Sequence, residues 1–208
     1  MPRNLSDAAV KAFRDRLCKV AERLFAERGP QAVTMRELAR ELGVSAMTPY
    51  RYFHDKEEIL ATVRAAAFER FAAALERAAA IKGSAVARAN AVGRAYVDFA
   101  FKQPDAYKLM FDVSQPQSGR FPELVRAGRR ARQTMTGYMK QLIAEGYLVG
   151  DPEVLGTIFW AMVHGLVMLH LMGRLDPKPD FDAVHQTALG LLVRGARPSV
   201  QQAKRRAS

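Results

Sequence analysis

Thr34 to Lys56 reads T-M-R-E-L-A-R-E-L-G-V-S-A-M-T-P-Y-R-Y-F-H-D-K, and its punctuation decides the fold. Thr34 is placed to cap a helix, and Glu37, three residues on, to reach back to the Thr34 amide and complete a capping box. That helix starts at Met35. Leu38, Ala39 and Leu42 then give it a narrow apolar face, and Gly43 supplies the left-handed residue that ends it. Val44 buries at the turn, Ser45 offers a second cap, and the stretch from Ala46 to Phe53 reads as a second helix carrying polar and aromatic side chains. Asp55 caps a further helix from Lys56. Two short helices joined by a glycine turn place the N-terminal residues of the second against base edges in a DNA major groove.

Pro49 complicates that second helix. With Ser45 as the cap, Pro49 falls at the fourth helical position, where it forfeits a hydrogen bond and its ring crowds the Ser45 carbonyl. With Thr48 as the cap it falls at the first position, which favours proline. Either register makes the first turn irregular.

The order of signals, above all Y-x-Y-F-x-x-K preceded by G-V-S, resembles the N-terminal domain of TetR-family transcriptional regulators, although the family usually has an aliphatic residue where this chain has Pro49. The resemblance implies phosphate anchoring by Thr34, Tyr52, His54 and Lys56, the last aided by the positive end of its helix. It assigns base-edge reading to Arg36, Ala46, Met47, Thr48 and Tyr50. Arg36 is the strongest of these, because a guanidinium grips guanine bidentately at ~1–3 kcal/mol of discrimination.

Composition agrees without deciding. The 208 residues are 49% hydrophobic, enough for a real core. A net charge of +11 suits a polyanionic partner. Yet residues 1–60 hold 11 Lys/Arg against 9 Asp/Glu, so most of the excess lies outside the proposed DNA-binding region. The single cysteine, Cys18, excludes an intramolecular disulfide and multi-cysteine metal sites, and reads as a packing residue. The absence of a signal-peptide core and of an uninterrupted run of ~18 apolar residues leads to a cytoplasmic expectation, with no membrane partner.

Outward from the motif, helix follows helix. Phe13, Leu17, Val20, Ala21, Leu24 and Phe25 keep one helical face up to Gly29-Pro30. A fourth helix runs from Lys56 to Ile81, a fifth from Ser84 to Gln103, a sixth from Pro104 to Val113 and, after a loop at 114–120, a seventh from Pro122 to Glu145. Asp151-Pro152 opens an eighth that ends near Gly173, and Asp180 opens a ninth. No run alternates long enough for a strand. The fold expected is all-α, of about nine helices: a helix-turn-helix domain over 1–55, a helical regulatory and dimerisation domain over 56–197 with its connector helix starting at 56, and a disordered basic tail over 198–208.

The eighth helix, T-I-F-W-A-M-V-H-G-L-V-M-L-H-L-M-G, is apolar nearly all round, as a helix buried on more than one side must be. Trp160, His164 and Gly165, preceded by G-Y-L-V-G-D-P, resemble the regulatory domain of a TetR subgroup named for its Trp-His-Gly signature. His164 is open to two readings: a pocket group that hydrogen-bonds a ligand, or a core histidine satisfied by its neighbours. With Tyr96, Phe99, Tyr107, Met110, Phe111, Met135, Tyr138, Met139 and Trp160 it forms the candidate ligand pocket, since adaptable methionines and amphipathic aromatics line sites between helices. The resemblance further implies a homodimer in which the eighth and ninth helices of two subunits pack together, with Gly156, Gly165, Leu166, Leu169, Leu189 and Leu192 at the interface.

The resulting expectation is a homodimeric repressor that binds a palindromic double-stranded operator and is released by a small apolar or amphipathic effector. An enzyme or lipophilic carrier is the competing class, with His164 as acid or base. No nucleophile motif, phosphate loop or paired ligand set accompanies that histidine, so neither a catalytic residue nor a cofactor or metal is expected. A nonspecific nucleoid protein is the third class, motivated by charge alone.

Overall fold

A computed structural model describes residues 6–112, 119–175 and 178–198. Part of the expected loop at 114–120, and all of the expected basic tail beyond Pro198, lie outside the described residues. Those residues hold eight α-helices and no strand: α1 (Asp7–Arg28), α2 (Met35–Glu41), α3 (Lys56–Ala79), α4 (Ala85–Lys102), α5 (Pro104–Met110), α6 (Pro122–Ala144), α7 (Pro152–Leu171) and α8 (Phe181–Gly195).

The segment expected as a recognition helix over Ala46–Phe53 is the exception, because only Pro49–Arg51 is helical, as one 3₁₀ turn. Pro49 has no N–H to give the Ser45 carbonyl, which is taken instead by the Thr48 amide at 2.9 Å. Arg51 and Tyr52 likewise bond three residues back, to Thr48 and Pro49. Thr48 stands at the cap and Pro49 at the first helical position, the second of the two registers open to the sequence.

Local signals set the helix ends elsewhere. Ser6 caps α1 by accepting from the Ala9 amide, and Gly29, at φ 78°, ends it. The Thr34 hydroxyl accepts from the Glu37 amide at 3.2 Å while a Glu37 carboxylate oxygen accepts from the Thr34 amide at 2.8 Å, so the capping box is complete. Gly43 follows α2 at φ 68°. Asp151 and Asp180 cap α7 and α8 through their carboxylates.

The chain divides into two compact units, Met1–Arg70 with Gln103–Arg129, and Phe71–Lys102 with Arg130–Ser208. Of the described residues, 103–112 and 119–129 thus group with the N-terminal helices, α5 lying against α1. The core of the first unit is built on Leu17, Leu24 and Phe25 of α1, Leu38 of α2, Phe53, and Ile59 and Val63 of α3. Cys18 sits at its edge, and burial pushes its thiol up to about 11, which keeps it protonated and inert at neutral pH.

The second unit packs α7 against α8 and α4. Met139 and Leu142 of α6, Leu148 and Phe159 belong to its core. Gly156 permits a close approach within the chain itself: a Cβ there would lie 2.7 Å from Cγ2 of the buried Thr136 on α6. Helix α7 is also long and apolar enough, by composition, to cross a membrane. Its apolar side chains do not all face inward, since Val154, Ile158, Leu169 and Met172 are exposed.

Gly156→Val drives two methyls into the Thr136 contact and is expected to lower stability by about 1–3 kcal/mol through overpacking. Thermal unfolding monitored by circular dichroism measures this; an unchanged melting temperature would show that α6 and α7 separate freely.

Candidate DNA-reading surface and helical cavity

A single 3₁₀ turn cannot hold its own shape in water. In this chain α1 holds it. The Arg14 guanidinium donates to the Tyr52 carbonyl, lies 3.9 Å over the centre of the Phe53 ring and reaches Glu58 of α3 at 3.4 Å. One residue earlier, Phe13 stacks on Tyr52 at 4.2 Å between ring centres. Nothing in the sequence marks Arg14 for this role, because its three partners come from residues 52–58.

The turn presents the expected base-reading side chains outward. Met47 is 69% exposed and Tyr50 is 49% exposed. Arg36 and Ala46 are exposed too, while Thr48 is half-buried and shares a 2.9 Å hydrogen bond between its hydroxyl and that of Ser45. Among the described residues, Arg36, Arg40 and Arg51 make no ion pair, so three exposed guanidiniums remain available to phosphates or bases. The sequence reading misses Arg40 and Arg51, whose only signal is charge.

The expected phosphate anchors have varied surroundings. His54 is exposed, with Nδ1 3.2 Å from an Asp55 carboxylate oxygen. Thr34 is exposed, with its side chain engaged in the capping box. Tyr52 is half-buried against Phe13. Lys56 points back into its own unit, where its ammonium donates to the Pro30 carbonyl at 2.6 Å and pins the loop between α1 and α2.

Acids at the start of α3 would repel a nucleic acid, and the first unit neutralises them. Arg120 reaches Asp55 at 2.6 Å and Glu57 at 3.0 Å, while Arg14 takes Glu58. Burial pushes the Asp55 carboxyl up, but the Glu58 amide it accepts from and the Arg120 guanidinium outweigh this and hold it below its ordinary range.

The second unit contains a cavity of about 410 Å³ between α4, α6, α7 and α8, within the usual range for small-molecule sites. Tyr96, Met135, Tyr138, Met139 and Trp160, all expected in a pocket, line it together with Leu142, Phe159 and Leu189. Phe99 packs edge-on against Phe71 instead. Tyr107, Met110 and Phe111 lie in the first unit: Tyr107 and Met110 are fully buried, and Phe111 meets Phe68. Their composition suits a pocket, but Tyr107 and Met110 of α5 fill a core, and Phe111, just past its end, packs beside them.

His164 stands one layer behind the wall. Trp160 Nε1 donates to the Tyr96 hydroxyl at 3.2 Å, and that hydroxyl lies 3.4 Å from His164 Nδ1. Burial lowers the His164 pKa, so the ring is neutral at pH 7 and can accept from the phenol. Tyr138 differs: burial raises its pKa to about 12, and its hydroxyl makes no hydrogen bond among the described residues. The described residues hold no group of His, Cys, Asp and Glu able to bind a metal.

Of the residues expected at a subunit interface, Leu169 is exposed, whereas Gly165, Leu166, Leu189 and Leu192 are half-buried. Leu189 and Leu192 pack toward the core of the second unit, and Gly156 is buried against Thr136.

Comparison with known proteins places this geometry. Residues 17–63 match the family described as bacterial regulatory proteins, tetR family, and residues 89–192 match the tetracyclin repressor-like C-terminal domain. Neither description names the Trp-His-Gly subgroup. The uncharacterized HTH-type transcriptional regulator Rv1255c of Mycobacterium tuberculosis (strain ATCC 25618 / H37Rv) is 40% identical over 55 residues, 26% of this chain and 27% of that protein. The chain thus spans about a quarter of the length of the curated relatives it matches. A protein of unknown function from Rhodococcus sp. RHA1 superposes with a TM-score of 0.78 at 28% identity, covering 95% of this chain and 100% of that one. A putative TetR-family transcriptional regulator from Vibrio parahaemolyticus gives 0.69 at 26% identity, covering 89% and 99%. Regulators of this family are DNA-binding transcription factors, not enzymes. The helix-turn-helix signature and both family matches make this chain a member of the TetR family of bacterial regulatory proteins.

Proposed function

We propose that the protein is a cytoplasmic, homodimeric repressor that binds a palindromic operator and is released by a small apolar or amphipathic effector. The observation that carries this reading is the clamped turn at Pro49–Arg51, with Met47 and Tyr50 outward and the neighbouring acids paired. A surface for nonspecific attraction needs only charge; this one fixes a short backbone segment by hydrogen bonds, stacking and a cation over a ring, which is what register on a duplex requires. Arg36 reads a base edge, and Thr48 and Tyr50 add contacts in the groove. Thr34, Tyr52 and His54 face phosphates, and Lys56 contributes its charge while holding the α1–α2 loop.

The dimer follows from the outer face of α7. Val154, Ile158, Ala161, Gly165, Leu169 and Met172 recur at three- and four-residue steps, which places them on one helical stripe. Most of that stripe is exposed, and on α8 Leu191 is 59% exposed. Large apolar side chains gathered on one face call for a partner, and a second copy of α7 and α8 supplies a matching one. Gly165 lets the helices approach closely, and Leu166 and Leu169 fill the contact. Gly156, Leu189 and Leu192 support it from the inner side. Such a dimer sets two recognition turns ~34–36 Å apart, one turn of DNA. The cavity between α4, α6, α7 and α8 receives the effector, and α3 carries the response as a change in that spacing.

Two measurements follow. Leu169→Arg puts a cation into the apolar stripe and is expected to turn the dimer into a monomer in sedimentation equilibrium; a persisting dimer would place the interface elsewhere. Arg36→Ala is expected to weaken binding to the selected operator by about 1–3 kcal/mol and to change binding to random DNA much less. Equal losses on the two DNAs would remove Arg36 from base reading.

A further inference from the structure

We propose that the cavity of the second unit, taken as the effector site on the reading above, binds an amphiphile carrying one negative charge: an apolar body held among Met135, Met139, Phe159 and Trp160, and a carboxylate met at the mouth by Arg94 and Arg197. The charged residues that line the cavity are of one sign. Arg94 and Arg197 both line it and both are exposed, whereas no Asp or Glu lines it among the described residues. Neither arginine makes an ion pair within the described residues. The one histidine on the lining, His185, adds no charge, since burial lowers its pKa against the opposing pull of Asp182 and leaves it neutral at pH 7.

The rest of the wall suits the apolar body of such a ligand. It is largely apolar, with Asn90, Gln186 and the tyrosines among its polar groups, and the Tyr96 hydroxyl is already engaged with Trp160 and His164. The Tyr138 side chain is half-buried, and its hydroxyl, which burial holds neutral, makes no hydrogen bond among the described residues. A cationic ligand would meet two guanidiniums and, among the described residues, no carboxylate on the lining. Volume sets the scale: the cavity of about 410 Å³ holds about 14 non-hydrogen atoms if each takes the ~30 Å³ share of a water molecule, the size of dodecanoate.

Trp160 is the only tryptophan in the chain and lines the cavity, so its fluorescence reports occupancy. The full-length protein is titrated with dodecanoate and with dodecan-1-ol, which has the same body without the charge. Dodecanoate is expected to bind at least roughly tenfold more tightly, and Arg94→Gln with Arg197→Gln to remove that advantage while leaving the alcohol unchanged, as charge-assisted hydrogen bonds predict. Both arginines are exposed, so the double variant keeps its fold, which circular dichroism verifies. Equal affinity for the two probes, or a loss shared by both in the double variant, overturns the anionic assignment. A Trp160 signal that neither probe moves also overturns it. Operator binding by the unliganded protein, measured separately, then shows whether the regulator reading falls too.

Discussion

The candidate DNA-reading surface depends on Arg14. Proline at position 49 denies the recognition segment an α-helix, and what remains is one 3₁₀ turn with too few internal bonds to persist alone. Arg14 supplies what the turn lacks: it ties the Tyr52 carbonyl, the Phe53 ring and Glu58 of α3 to one guanidinium on α1. Phe53 is buried, and Phe13 stacks on Tyr52 beside it, so the polar clamp has an apolar backing. The geometry of the reading surface is therefore a property of α1 and α3 as much as of the turn.

In the second unit one helix answers two demands. The inner face of α7 brings Phe159 into the core and Trp160 to the cavity, and seats Gly156 on Thr136. Its outer face leaves Val154, Ile158 and Leu169 exposed. A helix apolar on both faces is costly in isolation because one face must meet water. In the proposed function a second subunit covers the outer face and an effector meets the inner one, which joins dimerisation and ligand binding in one account of α7.

Much of the fold is legible in the sequence because its signals are local. The Thr34/Glu37 capping box, Gly43, Asp151-Pro152 and Asp180 each act within four residues, and each is found where the sequence puts it. Pro49 announces an irregular turn, but not that only three residues remain helical. Partnerships that cross the chain leave no trace in the sequence. Arg14 meets residues from 52 to 58, Lys56 reaches the Pro30 carbonyl, and Arg120 pairs with Asp55. The aromatic and methionine content of α4 to α6 is visible, yet composition alone does not separate Tyr96 and Tyr138, which line the cavity, from Tyr107 and Met110, which fill a core.

The central claim is that the clamped turn reads sequence and does not merely attract phosphate. Selection of the full-length protein against a pool of random duplexes tests it most directly. The account predicts enrichment of a palindrome whose half-sites lie about 10 base pairs apart, or a multiple of that, centre to centre. A pool that stays unenriched while binding remains strongly salt-dependent would contradict it and leave only nonspecific attraction.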